Sequence, residues 1–400
     1  MTVFDQSSAV GESNGTSRSS PPMRVAITNP FVWPHVRRGS ERLLNDLAIY
    51  LYQAGHHVDV FAMGPDDAEE NRGGVHYHLF KERWTWSRRQ LNSLHYFAFH
   101  LPSVLAHHRL DVVFCLNYFD AYAALRCRDK HDLNYKVIFL NVGIPTRRYF
   151  RAVPLDWWFM HKVLQQADQC LVLSEFAHRS LQEEFGVASV IMPPPVVTDA
   201  FSQPPRLPTA SEPTLLFVGD VDEPRKGAKA LCAAFARLKF EIPALRLRFV
   251  GRVSPETQSA LLALVSDEPA RQSIEFLGVG DVATLPALYQ SSSVTVLPSV
   301  WEAFGLVLVE SLAAGTPVVG ARHGGISDIV QDQRVGALFD PEPFTLQTDA
   351  VDALVDALRQ VLARGKTADI VAACRARAEY FSWKTQGPAY VRLIESFRPT

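Results

Sequence analysis

Glu302 and Glu310 stand with seven residues between them, and the chain between them has the makings of an anion site. Gly305 frees the backbone where a helix should begin, and residues 306–314 are rich in helix formers. The first N–H groups of such a helix lack internal partners and carry partial positive charge, which suits a phosphate. A carboxylate repels phosphate but accepts hydrogen bonds from sugar hydroxyls. Two carboxylates flanking a phosphate-binding helix start therefore fit a ligand with hydroxyls on both sides of its phosphates. A nucleotide sugar has that form: ribose, diphosphate, sugar. The alternative is a solvated Glu302, with Glu310 at the margin of the core on an ordinary amphipathic helix.

The elements that must position these residues are readable nearby. Residues 294–297 form a short apolar strand that Pro298 and Ser299 stop. Gly315-Thr316-Pro317 ends the helix, and residues 317–320 begin the next strand. A second apolar strand, residues 214–218, runs through Gly219 into the loop Asp220-Val221-Asp222-Glu223-Pro224-Arg225-Lys226-Gly227 and a helix as far as Leu238. Near the start, residues 24–29 form a strand. A helix over residues 40–54 follows, with Ser40 placed to cap it and Leu43, Leu44, Leu47, Ala48 and Leu51 as its apolar stripe. Further strands are expected at 58–62, 111–116, 136–140, 169–173, 245–250 and 274–277. Strands alternating with helices predict doubly wound sheets, whose ligands gather at the strands' carboxyl ends.

The stretch from Glu302 resembles the E-x7-E signature of glycosyltransferase family 4, on the two-domain GT-B fold. The likeness includes Phe304-Gly305-Leu306 between the acids and Ala313-Ala314-Gly315-Thr316-Pro317-Val318-Val319 after them. It implies that Glu302 lies by the donor sugar, that Glu310 binds ribose hydroxyls, and that the backbone of Phe304, Gly305 and Leu306 faces the sugar and the distal phosphate. Arg225 and Lys226 match basic residues that clasp the donor diphosphate. The turn Gly278-Val279-Gly280 resembles one that receives the nucleobase, chiefly through backbone contacts at Val279.

Three positions depart from the family pattern. Asp220 replaces an expected arginine; a carboxylate beside a diphosphate is repulsive unless Arg225, Arg38 or a metal compensates. Gly39 matches the second of two family glycines, while Arg38 occupies the first position. Asn141 stands where many members have a histidine; it can hydrogen-bond but cannot act as a base. Asp120, after the strand at 111–116, is a candidate on the acceptor side or a helix N-cap. Trp84, Trp86 and the histidines between residues 75 and 108 form an irregular aromatic stretch facing an acceptor or packed in a core. Only His76/His78 and His107-His108 hint at metal spacing there, and no metal is expected. Arg147-Arg148-Tyr149-Phe150-Arg151 and Trp157-Trp158-Phe159 could rest on an anionic membrane surface, line an acceptor site or pack within the domain.

The likeness covers residues 23–398 and implies an α/β chain of GT-B type, two Rossmann-like doubly wound domains facing across a cleft. The expected division is a disordered leader over 1–22, an acceptor-binding domain over 23–200, a linker over 201–213, a nucleotide-sugar-binding domain over 214–380, and a tail over 381–400 crossing back to the first domain. Composition agrees with two ordinary domains: 400 residues, 47% hydrophobic. A net charge of -2 gives no basic field for nucleic acid. Five scattered cysteines suit a reducing cytoplasm and offer no metal framework. No apolar run reaches the length of a membrane span, about 18 residues. The expected activity is a retaining hexosyl transfer from a nucleotide-diphosphate sugar to a hydroxyl of a small-molecule, glycoside or lipid-linked acceptor, with no cofactor and no obligatory metal. The alternatives are a degenerate binder of nucleotide sugar or a partner, motivated by Arg38, Asn141 and Asp220, and an epimerase or phosphorylase on the same fold.

Overall fold

The computed structural model describes residues 21–36, 38–82, 92–201, 212–280, 284–341 and 348–398. Most of the leader, Arg37, Trp84, Trp86 and residues 202–211 of the expected linker lie outside that set. The chain forms two compact units. The first comprises Met1–Leu173, Ala177–Met192 and Gln386–Thr400; the second comprises Ser174–Phe176 and Pro193–Thr385.

The first unit holds β1 (Arg24–Thr28), β2 (His57–Gly64), β3 (Ala68–Arg72), β4 (Val75–Lys81), β5 (Val112–Cys115), β6 (Lys136–Asn141), β7 (Gln169–Val172) and β8 (Val190–Ile191). They form one sheet in the order β3-β4-β2-β1-β5-β6-β7-β8. Only the β3–β4 pair is antiparallel. Helices cover both faces of a parallel sheet, so its central strands read as unbroken apolar runs; every residue of β5 is buried. Phe61, Phe97, Leu101, Val113 and Phe139 are part of the core on one face.

The stretch expected to be irregular contains regular structure. Val75, Tyr77 and Leu79 alternate inward along β4. After it, Asn92 caps a helix over Ser93–Leu105 through its side chain. The histidines interleaved with aromatics in β4 hide the two-residue alternation from a reading by hydropathy. The first helix, Gly39–Gln53, is also capped differently from expectation. Its N-cap position is Arg38, without a side-chain cap, and the Ser40 hydroxyl donates to Glu41 instead.

The second unit holds β9 (Thr214–Val218), β10 (Arg246–Val250), β11 (Ile274–Phe276), β12 (Val294–Leu297), β13 (Val318–Ala321) and β14 (Gly336–Phe339). The order is β11-β10-β9-β12-β13-β14, and every pairing is parallel. Phe217, Phe235 and Phe249 anchor its core. Both units are thus Rossmann-like doubly wound sheets. Among the described residues, no helix is long and apolar enough to cross a membrane.

The last helix, Trp383–Glu395, ends in the first unit. Tyr390 is fully buried there; its hydroxyl donates to the Met192 carbonyl at 3.1 Å, and its ring lies 6.3 Å from Phe114. A Cβ on Gly387 would collide with the Tyr50 ring, so the helix packs with no gap at that point. Tyr390→Ala should cost about 3–5 kcal/mol, the range for truncating a large buried aromatic, read as a lowered denaturation midpoint of the full chain.

Candidate functional site

In the second sheet the chain passes from β9 to β10 on one side and reaches β12 on the other. The loops that follow β9 and β12 therefore diverge at the carboxyl ends, and this switch point is where doubly wound sheets bind ligands. Those two loops carry the charged residues singled out in the sequence.

After β9, Pro224–Lys226 forms one short 3-10 turn, closed by Gly227 in the left-handed region at φ 77°. A Cβ there would strike the Pro298 carbonyl, so glycine is what lets the β9 loop lie against the β12 loop. The Val300 N–H donates to the Arg225 carbonyl at 2.9 Å and joins the two loops through their backbones. Their side chains then interlock. Lys226 Nζ lies 2.5 Å from Glu302 Oε2, and Arg225 reaches the same oxygen at 3.9 Å. The Arg225 guanidinium is held by Glu223 and by the Trp301 carbonyl at 2.5 Å. Arg225, Lys226 and Glu302 are thus brought together, though 76 residues separate Lys226 from Glu302.

Gly305 is the N-cap of the helix Leu306–Ala313, at φ 107°, with no side-chain cap. It presents no side chain to the first-turn N–H groups of that helix. Phe304 is buried against Phe381, their ring centroids 5.3 Å apart, which fixes the backbone leading into the helix. Glu310 is buried on this helix, and the Tyr289 hydroxyl donates to its Oε2 at 2.9 Å. Val279, in the turn after β11, is 73% exposed.

Asp220 has a partner that sequence reading missed. Arg252, just past the end of β10, pairs with Asp220 Oδ2 at 2.7 Å. Gly219 and Gly251 make this approach feasible: a Cβ on Gly251 would collide with the Gly219 carbonyl. Arg225, in the same unit, is held by Glu223 and the Trp301 carbonyl instead. Two further groups carried no binding role in the sequence reading. Ser299 Oγ and His323 Nδ1 are buried with no hydrogen-bond partner among the described residues, at the ends of β12 and β13. The His323 ring packs against Phe176 and Trp301, and burial lowers its pKa. Unpaired polar atoms beneath a binding loop are what a bound polar ligand would satisfy.

In the first unit the corresponding switch lies between β1 and β5. Arg38 and Gly39 are exposed at the start of the first long helix, with the Arg38 guanidinium 6.0 Å from the Phe31 ring. Asn141 ends β6; its Oδ1 accepts from the Gly143 N–H at 3.2 Å, and its Nδ2 is buried without a partner among the described residues. Asp120 is not the helix cap; Asn117 caps that helix by accepting from the Phe119 N–H. Asp120 lies in the first turn, fully buried, accepting from Thr28 Oγ1 at 2.8 Å and the Leu116 N–H at 3.1 Å. Phe150 and Phe159 are core residues, whereas Tyr149 and Trp158 are exposed.

Comparison with known proteins bears on both units. The model described as "Glycosyl transferases group 1" matches residues 200–373, and that described as "Glycosyltransferase Family 4" matches residues 37–200. The chain is similar to a phosphatidyl-myo-inositol mannosyltransferase of Mycobacterium tuberculosis, 31% identical over 234 residues, covering 56% of this chain and 59% of that protein. It is also similar to a D-inositol 3-phosphate glycosyltransferase of Geodermatophilus obscurus, 32% identical over 240 residues, covering 56% of this chain and 51% of that protein. The chain thus spans less than two thirds of these curated relatives. Among solved structures it is similar to sucrose-phosphate synthase from Thermosynechococcus elongatus, with a TM-score of 0.77 at 21% identity, covering 94% of this chain and 100% of that one. WaaG, a glycosyltransferase involved in lipopolysaccharide biosynthesis, gives 0.66 at 19%, covering 89% and 94%. At these identities the likeness is one of fold.

Asp120 yields a test of pH dependence. Burial pushes its carboxyl up to about 8, outweighing the Thr28 and backbone hydrogen bonds that pull it down. An unfolded aspartate titrates near ~3.9. Between those values the folded chain holds the extra proton, so this group's contribution to stability falls as pH rises. Asp120→Asn should remove that loss. The wild-type melting temperature should drop relative to the variant's between pH ~5 and ~8; a constant difference would show that Asp120 stays ionised.

Proposed function

Because this chain belongs to the glycosyltransferases of family 4 type, with the GT-B fold, we propose that it transfers a sugar from a nucleotide-diphosphate sugar to a hydroxyl of an acceptor. The observation that carries this reading is the Arg225–Lys226–Glu302 cluster beside the glycine-capped start of the helix Leu306–Ala313. As the bond between the anomeric carbon and the diphosphate oxygen breaks, negative charge grows on the leaving group. Lys226, Arg225 and the backbone around Phe304 to Leu306 supply fixed positive potential for it. Glu302, held by Lys226, accepts from hydroxyls of the transferred sugar. Glu310, oriented by Tyr289, accepts from the ribose. The acceptor hydroxyl attacks from the face that the nucleotide leaves, its proton passes to the departing diphosphate, and configuration is retained. The retaining course rests on family membership.

Asn141 can hydrogen-bond the donor sugar but cannot take a proton, so no base is assigned to it. Five buried free cysteines fit a reducing compartment, the cytoplasm. Two relatives carry inositol in their names, so inositol phosphates and phosphatidylinositol head the acceptors to be screened.

Calorimetric titration with UDP, GDP, ADP and dTDP tests the donor site. One diphosphate should bind selectively, and Lys226→Ala should weaken it. With the matching donor sugar, Lys226→Ala should lower kcat by roughly 10²–10³-fold, the loss typical of removing one transition-state charge contact. A folded protein that binds none of the four would overturn the reading in favour of a degenerate scaffold. Arg252→Ala should weaken diphosphate binding because Asp220 is left uncompensated. The loss should shrink as salt is raised from ~0.01 M to ~1 M, since screening mutes the repulsion.

A further inference from the structure

The two weak histidine pairs of the sequence each contribute one member to a single cluster in the first unit. Asp59 of β2, His78 of β4 and His108, after the helix Ser93–Leu105, each offer a ligand atom within 4.8 Å of the other two. We propose that Asp59, His78 and His108 form a binding site for a divalent transition-metal ion, Zn2+ by class, which pins β2, β4 and the segment after that helix to one another.

The sheet register builds the cluster. His78 lies beside Phe61 across the parallel β2–β4 pair and opposite Glu69 across the antiparallel β3–β4 pair. Residues 59 and 61 of β2 project from one face of the sheet, so Asp59 and Phe61 flank His78 together. The His78 ring stacks on Phe61 at 4.7 Å with 11° between planes, and the His108 ring meets both edge-on at 4.8 and 4.9 Å. Both imidazoles are therefore fixed in orientation by packing. His78 Nε2 points at Asp59 Oδ1, 2.9 Å away, while its Nδ1 faces Glu69 at 3.6 Å. A metal inserted between Nε2 and Asp59 would leave Nδ1–H directed at Glu69, the carboxylate–histidine–metal arrangement that sets tautomer and raises ligand basicity.

The donor set decides the ion. Two imidazoles and a carboxylate suit Zn2+, Co2+ or Ni2+ rather than Mg2+ or Ca2+, which take oxygen ligands. Three protein ligands with one position left for water or a fourth group is a recognised zinc arrangement. Metal–nitrogen distances of about 2.0 Å set ligand atoms about 3.3 Å apart in a tetrahedron, so closure asks for a contraction of at most about 1.5 Å between ligand atoms. All three residues are part-buried rather than exposed. Asp59 is the third residue of its strand, and the cluster is distinct from Asp120 and Asn141, which follow or end theirs. The ion would serve to clamp the sheet's outer strands, outside sugar transfer.

The test uses the untagged full chain, stripped with chelator and titrated with Zn2+ in a calorimeter and with Co2+ by visible absorption. One ion per chain is expected, weakened at least ~10-fold, about 1.4 kcal/mol, by His108→Gln or Asp59→Asn and unchanged by the neighbouring His107→Gln. Zn2+ should raise the melting temperature of the wild type and of His107→Gln, and not that of His108→Gln. On the wild type alone, Zn2+ should protect His78 and His108 from carbethoxylation in peptide mass mapping, whether or not the variants fold. Absence of saturable binding up to millimolar Zn2+, equal affinity in wild type and His108→Gln, or protection confined to other histidines would overturn the site and leave a plain His78–Asp59 ion pair.

Discussion

The second unit depends on the contact between the loops that follow β9 and β12. Parallel neighbours in a doubly wound sheet deliver both loops to the same edge, but delivery alone does not make them touch. Gly227 does, because a Cβ in its place would strike the Pro298 carbonyl. Once the backbones meet, Lys226 and Arg225 from one loop reach Glu302 from the other. A part-buried lysine–glutamate pair is weak evidence for stability, since desolvation offsets much of the attraction. Its value is positional: it holds a cation and a carboxylate in fixed places before any ligand arrives.

Charge at this edge is arranged in matched pairs. Glu302 answers Lys226, Glu223 answers Arg225, and Arg252 answers Asp220. With side-chain charges so balanced, the uncapped helix start at Gly305 contributes a fixed positive potential that needs no counter-ion of its own. On the function proposed above, an entering diphosphate would meet Lys226 and Arg225 already oriented, each sharing its hydrogen bonds between carboxylate and phosphate.

The first unit is organised otherwise. Its switch-point edge is quieter electrostatically: Asp120 is buried against Thr28, and Asn141 offers an amide with an unsatisfied nitrogen. Its titratable cluster lies instead across β2, β3 and β4, where strand register aligns Asp59, Glu69 and His78. Two sheets of the same class thus place their polar side chains on different strands.

Much of the fold was legible in the sequence, because apolar strand runs, helix formers and glycine stops are local signals. The loop from Pro298 to Gly305, the helix after it and the Arg225-Lys226 loop were all read from residue type and spacing. Capping was misread at Ser40 and at Asp120, since which nearby side chain reaches a free N–H turns on a few tenths of an ångström of backbone placement. Arg252 escaped notice because it meets Asp220 across adjacent strands, 32 residues away along the chain. Nothing in the sequence gave Ser299 or His323 a binding role, since an unsatisfied buried atom is defined by what surrounds it. Likewise His78 and His108 belong to separate weak patterns until strand register sets His78 near Asp59 and the chain after the helix Ser93–Leu105 brings His108 to both. The sequence by itself determined the fold class and the chemistry on offer, because periodicity and residue type are properties of short segments. Only the tertiary structure decided which charges neutralise which and which polar atoms remain unpaired, because hydrogen bonds and ion pairs depend on ångström-scale distances between segments far apart in the chain.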